Sequence, residues 1–159
     1  MQPIQKQDLK PVELVRQVMS EFLNGGLADQ YEIEFSEEQP GKTISLNGDN
    51  SLLQRMLSNL IRNSIVHNPT GCKISVSVGS NDEACSFTIS DNGQGIREPL
   101  LDSLNRDEDI SSTQEQSDGI DHGLGLKIVR QIVKVHQGKI HFFNTVPHGL
   151  SVRIELPLK

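Results

Sequence analysis

Apolar residues recur along this chain with two different periods. Spacings of three and four residues predict helices over 11–23, over 52–67 and from Gly123 towards Gly138. Alternation of apolar and polar residues predicts short strands near 31–35, 44–46, 74–78, 84–91, 139–144 and 150–156. This order predicts a two-layer α/β sandwich, in which three helices cover one face of a mixed, mostly antiparallel sheet of about five strands.

A tight polar turn follows the predicted strand at 84–91. It reads Asp91-Asn92-Gly93-Gln94-Gly95-Ile96, so the strand ends on a carboxylate and continues into two glycines. Without a Cβ, glycine adopts left-handed backbone conformations and lets the chain approach a flat ligand closely. The same residues are also ordinary turn chemistry, so the motif alone leaves a plain surface turn open.

Two asparagines interrupt the apolar stripe of the predicted helix at 52–67. On a helical wheel Asn59 and Asn63 lie one turn apart at the edge of the apolar arc, and His67 falls on its apolar side. A single asparagine there is usually a satisfied structural amide, and a histidine there is often a packed core residue. Two amides in register indicate a polar site beside the core, since an amide oxygen is a suitable ligand for Mg²⁺.

Glycines also surround the start of the third predicted helix, which reads Gly123-Leu124-Gly125-Leu126. The first N–H groups of a helix have no partner within it, and the helix dipole is positive at that end. Such a start is an anion site suited to phosphate. A flexible glycine-rich entrance without a function is the alternative that this motif alone leaves open.

Taken in order, these three motifs resemble the nucleotide-binding boxes of the sensor histidine kinases, within the superfamily that includes the gyrase-type ATPases. Residues 59–64 resemble the asparagine box, 91–95 the first glycine box and 123–126 the second. Residues 100–106 are similar to the phenylalanine box, with leucines where aromatic residues are usual. The resemblance covers nearly the whole chain.

The resemblance implies a site for ATP and Mg²⁺. Asn59 and Asn63 would be the catalytic pair, with Asn63 as the metal ligand. Asp91 would accept a hydrogen bond from the exocyclic amine of adenine, which selects ATP over GTP because guanine has a carbonyl oxygen at that place. The nucleotide is expected at Asn59, Asn63, His67, Asp91, Gly93, Gly95, Ile96, Arg106, His122, Gly123, Leu124, Gly125 and Leu126.

Position 59 indicates what happens to the ATP. Gyrase-like ATPases and the anti-sigma-factor serine kinases, which this chain also resembles, usually have a glutamate base there. The amide of Asn59 cannot take a proton from water at neutral pH, which favours phosphoryl transfer over hydrolysis. The implied function is donation of the γ-phosphoryl group to a histidine on a separate dimerisation domain. A degenerate or phosphatase-biased sensor and a stand-alone serine kinase are the alternatives.

The resemblance also implies partners and a setting. None of the five histidines lies in the setting of an acceptor helix, so 11–159 would be an excised catalytic domain and 1–10 a remnant linker from the dimerisation domain. The expected partners are a nucleotide, that dimerisation domain and, through the full-length protein, a response regulator. The isolated domain is expected to be a monomer in the cytoplasm, and its parent is expected to be anchored in the membrane.

The mostly polar segment 97–122 separates the two glycine boxes. A loop of this length is usually functional or disordered, and the resemblance identifies it as a mobile lid over ATP, with a solvated insertion as the alternative. Two departures from the family pattern predict weak ATP binding: Val66 stands where a basic residue is usual, and Asp121 replaces the first glycine of the second glycine box. Candidate replacements for the missing positive charge are Arg106, Lys127 and Arg130.

Composition narrows the class of partner. The 159 residues carry a formal net charge of −6 and 4% aromatic residues, with no basic stripe, which argues against a nucleic-acid surface. Cys72 and Cys85 lack the spacing of a zinc site and suit a reducing compartment as small apolar residues. No apolar run approaches the roughly 18 residues of a transmembrane helix and no signal peptide is evident, so no direct membrane contact is expected.

Overall fold

The computed structural model describes residues 3–106 and 120–158, and only the backbone of residues 120–125. The elements in chain order are β1 (Gln7–Leu9), α1 (Pro11–Asn24), β2 (Tyr31–Glu37), β3 (Leu46–Gly48), α2 (Asn50–His67), β4 (Cys72–Ser80), β5 (Ala84–Asp91), α3 (Glu98–Asn105), α4 (Ile120–Val135), β6 (Lys139–Asn144) and β7 (Leu150–Pro157). None of the helices among these residues is long and apolar enough to cross a bilayer.

Five of the strands form one mixed sheet in the order β2-β4-β5-β7-β6. The pair β2 and β4 is parallel and the other neighbouring pairs are antiparallel, so the expectation of a mixed, mostly antiparallel sheet is confirmed. The alternation in the sequence divides the two faces. On one face the pairing register aligns apolar residues across the strands, while mostly polar residues, chiefly serines and threonines in β4 and β5, occupy the other face. One such apolar row is Val76, Ile89, Val152 and Phe142.

The helices cover the apolar face of the sheet. Buried residues of α1, α2 and α4 join those of the strands in a single core. The wheel of α2 is confirmed, because Leu53, Met56, Leu57, Leu60 and Ile61 are all buried. The helix packs against β4 and β5 and against the helices α1 and α4, and its last turn lies beside the end of β5.

The structure contains two elements that the sequence did not predict. Residues 7–9, expected in a linker, form β1, which pairs with β3 through Leu9 and Leu46. The described residues contain four helices rather than three, because α3 lies within the segment expected to be a mobile lid. Its Leu101 and Leu104 are three residues apart and pack on the core. Residues 107–119 of that expected lid lie outside the described residues, and its last three residues, 120–122, begin α4.

Candidate functional site

A mostly apolar cavity lies between α2 and the end of β5, with a few polar side chains in its wall. This composition is typical of a site for a small molecule. Its volume is about 30 Å³. The lining residues are Leu60, Asn63, Ser64, His67, Ile89, Asp91, Ile96, Leu104, Leu126, Phe142, Leu150 and Val152.

A second cavity of about 110 Å³ adjoins the first. It is lined by His67, Asn68, Asp91, Gln94, Gly95, Ile96 and Leu150. Four of these residues, His67, Asp91, Ile96 and Leu150, line both cavities. Asp91 therefore contributes to the wall of both cavities, although the residue is only 5% exposed.

Backbone N–H groups hold one oxygen of the Asp91 carboxylate. Its Oδ1 accepts hydrogen bonds from the N–H of Gly93 at 2.9 Å and the N–H of Leu150 at 3.3 Å. No described residue donates to its Oδ2. A buried carboxylate oxygen without a donor costs free energy, which a donor on a ligand would recover. The Asp91 carboxylate also affects the nearby Cys72 thiol. Burial raises the pKa of that thiol, and the negative charge of Asp91 raises the pKa further.

The two glycines of the turn are needed for different reasons. Gly93 faces the amide of Asn68, so closely that a Cβ at position 93 would overlap Oδ1 of Asn68. Gly95 has a φ of +79°, and a Cβ there would lie 2.8 Å from Oδ1 of Asn144. The polar turn after β5 is thus closely surrounded by the side chains of the protein itself.

The last turns of α2 bring Asn63 and His67 to Asp91, but leave Asn59 outside. Asn63 and His67 line the first cavity, and the side-chain amide of Asn63 makes no hydrogen bond to a described residue. Asn59 does not line either cavity, and its Oδ1 accepts from Nη1 of Arg62 at 3.5 Å. The two asparagines are one turn apart, yet only the second faces the space around Asp91 in this structure.

The remaining predicted site residues lie just before and just after α3 and within α4. Ile96 and Leu126 line the first cavity. Arg106 follows α3 and donates to Oγ of Ser103 at 3.4 Å, away from the cavity lining. The helix α4 begins at Ile120, so Gly123 and Gly125 lie within its first two turns rather than at its start, which corrects that expectation. The side chains of His122 and Leu124 lie outside the described residues.

Several residues of the site were missed by the sequence analysis. Asn68 ends α2 and donates through Nδ2 to the carbonyl of Ser64 at 2.8 Å, which aims its Oδ1 at Gly93. A ring nitrogen of His148 lies 3.0 Å from the carbonyl oxygen of Gly93. The asparagine directly before Pro69 was the available signal for a helix end, whereas nothing near position 148 indicated a contact with the turn.

The described residues around Asp91 could supply only part of the ligands of a metal ion. Among the described residues no group of three or more His, Cys, Asp and Glu side chains is placed to hold a metal ion. Asn63 offers one neutral amide oxygen at the edge of the cavity. Mg²⁺ commonly takes one or two protein oxygens and fills its octahedron with phosphates and water, so Asn63 suits a metal that arrives with a nucleotide.

Comparison with known proteins shows that the sequence of this chain is similar to one superfamily. Residues 48–159 match the family described as "Histidine kinase-, DNA gyrase B-, and HSP90-like ATPase". The sensor histidine kinase YvrG of Bacillus subtilis is 29% identical over 153 residues, which are 96% of this chain and 26% of YvrG. The sensor protein KdpD of Clostridium acetobutylicum is 31% identical over 151 residues, which are 93% of this chain and 16% of KdpD.

Solved structures share the fold. The catalytic domain of histidine kinase ThkA superposes with a TM-score of 0.79 at 21% identity, covering 97% of each chain. ThkA in complex with the response regulator TrrA gives a TM-score of 0.77 at 20% identity, with 98% of this chain and 42% of that one covered. With 112 of its residues matching the family, from 48 to 159, the chain belongs to the histidine kinase-, DNA gyrase B- and HSP90-like ATPases.

Proposed function

We propose that this chain binds Mg-ATP around Asp91 and donates the γ-phosphoryl group to a histidine on a separate dimerisation domain of a sensor histidine kinase. The observation that carries the proposal is the buried Asp91 carboxylate, with one oxygen held by backbone N–H groups and the other without a donor from the described residues. The names of the relatives support the kinase class.

Adenine is the base that the Asp91 carboxylate suits. The exocyclic amine of adenine would donate a hydrogen bond to Oδ2 of Asp91, whereas guanine has an acceptor oxygen in the same position. Two acceptors that face each other in a buried site cost free energy, since each loses a hydrogen bond from water and gains none in its place. The apolar lining around Ile89 and Ile96 would enclose the faces of the base.

Asn63 would hold Mg²⁺ and Asn59 would act as a polar neighbour. The metal, when bound, supplies positive charge that neutralises the phosphate oxygens during transfer. No carboxylate occupies position 59, so this chain has no general base there to activate water. ATP would therefore persist until an acceptor histidine reaches it.

The proposal includes the rest of the signalling protein. The chain spans only about a quarter of YvrG and less of KdpD, so a dimerisation domain, a response regulator and a membrane-anchored parent with this domain in the cytoplasm are proposed from the relatives. The ThkA structure includes the response regulator TrrA, which supports a partner of that class. The segment before α1 would connect to the dimerisation domain.

A nucleotide-binding module without transfer activity is the second candidate. Val66 is 47% exposed where the family usually has a basic residue, so one expected phosphate contact is missing. Both candidates predict binding of an adenine nucleotide, and they differ only in whether a histidine becomes phosphorylated. A serine kinase of the anti-sigma-factor type is disfavoured by Asn59 and would give phosphoserine.

Calorimetric titration with Mg-ADP and Mg-GDP tests the nucleotide site. We expect Mg-ADP to bind and Mg-GDP to bind at least about tenfold more weakly, the size of one charge-assisted hydrogen bond. Asp91→Asn keeps an acceptor for the N–H groups of Gly93 and Leu150 but replaces the second oxygen by a donor, so it should lose ADP affinity while the turn stays folded. Equal affinity for ADP and GDP, or an Asp91→Ala variant that binds ADP normally, would contradict the assignment.

A further inference from the structure

Two side-chain amides connect Ile96, just before α3, and Asn105, the last residue of α3, to β6. The Asn144 amide pairs with the backbone of Ile96, accepting its N–H and donating to its carbonyl, each at 3.1 Å. The Asn105 amide pairs in the same way with the backbone of Phe142, with both hydrogen bonds at 2.7 Å. Each amide thus makes the two hydrogen bonds that a paired strand would make.

The edge position of β6 explains why the Asn105 pair forms. Among the described residues β6 pairs in the sheet with β7 alone, so its outer backbone groups need other partners. Asn105 supplies them at Phe142. Arg130 of α4 adds a third tie, since its Nη2 donates to the carbonyl of Leu104 at 2.6 Å and its guanidinium lies 5.5 Å from the centre of the Phe142 ring.

The residues held in this way are part of the wall around Asp91. Ile96 lines both cavities, and Leu104, which is 3% exposed, lines the first. Asn144 and Asn105 line neither of the two cavities. Any effect of these amides on a ligand must therefore pass through the position of Ile96 and Leu104.

We propose that Asn105 and Asn144 are positioning residues that fix α3 as one wall of the base site, and that they set nucleotide affinity without touching the nucleotide. The inference rests on the proposed function for the identity of the ligand. Residues 96–105 begin the segment between the two glycine boxes, and four amide hydrogen bonds hold this stretch at Ile96 and at Asn105. These residues would therefore belong to the rigid frame of the site.

Alanine variants at the two positions test the role of the amides in binding. We expect Asn105→Ala and Asn144→Ala each to raise the Kd for Mg-ADP about tenfold, at unchanged stoichiometry. The ratio of ADP affinity with and without Mg²⁺ should stay as in the wild type, since the metal ligand is not moved. A general loss of folded protein would lower the stoichiometry instead.

The matched control is Asn81→Ala. Asn81 also accepts two backbone hydrogen bonds, from Glu83 at 2.7 Å and Ala84 at 2.8 Å, but it lies in the turn between β4 and β5. We expect its Kd for Mg-ADP to match the wild type. A loss in this control as large as in the other two variants, or wild-type affinity in both Asn105→Ala and Asn144→Ala, would overturn the proposal.

Hydrogen exchange without nucleotide tests the ties by themselves. Asn144→Ala should accelerate exchange of the Ile96 amide, and Asn105→Ala that of the Phe142 amide, while the wild type protects both. Unchanged protection would overturn the proposal whatever the affinities are. If the wild type protects both amides yet binds no adenine nucleotide, the proposed function fails and the positioning role fails with it, while the ties themselves stand.

Discussion

At the scale of single residues, Asn63 and Asn59 provide a matched pair. Both are amides on α2, one turn apart, but only Asn63 lines the cavity beside Asp91. We expect Asn63→Ala to lose most of the Mg²⁺ dependence of ADP affinity, roughly the 1.5–3 kcal/mol of a hydrogen bond to a charged group. Asn59→Ala should lose less. Titration of ADP with and without Mg²⁺ is the measurement, and an unchanged metal dependence in Asn63→Ala would refute the ligand role.

The role of a residue could be predicted where its own side chain and its place in a strand determine that role. It was less predictable where the role depends on how distant segments of the chain pack together. The carboxylate at the end of a strand identified Asp91 as the centre of a candidate site. The helical wheel could not separate Asn59 from Asn63, because it shows the direction of a side chain around the helix but not its position along the helix axis. Asn68, Asn144 and His148 were not predicted at all, since their contacts with the turn after β5 depend on how distant segments meet.

At the scale of elements, the start of α2 is joined to the end of α4. Asp49 caps α2 by accepting from the N–H of Leu52 at 3.1 Å, and it also accepts from the N–H of Gln5 at 2.9 Å. The buried His136 accepts the N–H of Asp49 through Nε2 at 3.0 Å, which leaves Nδ1 to donate to the carbonyl of Ile132 at 2.8 Å. These hydrogen bonds fix the helix that presents Asn63 and His67.

Asp49 gives this cap a pH dependence. Burial acts to raise the pKa of Asp49, but the N–H groups of Gln5 and Leu52 and the nearby His136 outweigh it and hold that pKa below 3.8. A carboxyl with a lowered pKa stabilises the fold fully above its unfolded pKa, and this contribution is lost as the pH falls through the folded pKa.

Replacement of the cap measures that contribution. Asp49→Ala should lower the free energy of unfolding by about 1–2 kcal/mol at pH 7. The difference from the wild type should shrink below about pH 4, as the carboxyl becomes protonated in both states. Urea unfolding at several pH values is the test, with Asp82→Ala in the exposed β4–β5 turn as the control. A difference that stays constant down to pH 3, or an equal loss in the control, would contradict this account.

Elements with strong periodicity were predicted, and short ones were not. The helix at 52–67 and the strands at 84–91 and 139–144 agree with the structure, because each repeats its pattern over several residues. The strand β1 has three residues and its pattern carries no period. The helix α3 has eight residues inside a polar stretch, and it is held by contacts with β6 that no local pattern indicates.

At the scale of the whole molecule, the order of the motifs predicted the architecture better than composition did. Composition excluded classes of protein, whereas three motifs at consistent spacing pointed to one superfamily, to which the chain belongs. The order of the strands in the sheet, with β7 between β5 and β6, was not predictable from the sequence. It follows from long-range pairing, in which Ile154 lies between Phe87 and Ile140.

The central claim is that this domain delivers the γ-phosphoryl group to a histidine outside itself. Incubation of labelled ATP and Mg²⁺ with the chain, alone and with the dimerisation domain of its kinase, tests it most directly. Alone, the chain should neither label itself nor hydrolyse ATP quickly, because Asn59 cannot activate water. With the added domain, an acid-labile, base-stable phosphohistidine should form there and be lost in Asn63→Ala. Fast hydrolysis by the chain alone, acid-stable phosphoserine, or no transfer despite tight ATP binding would contradict the account.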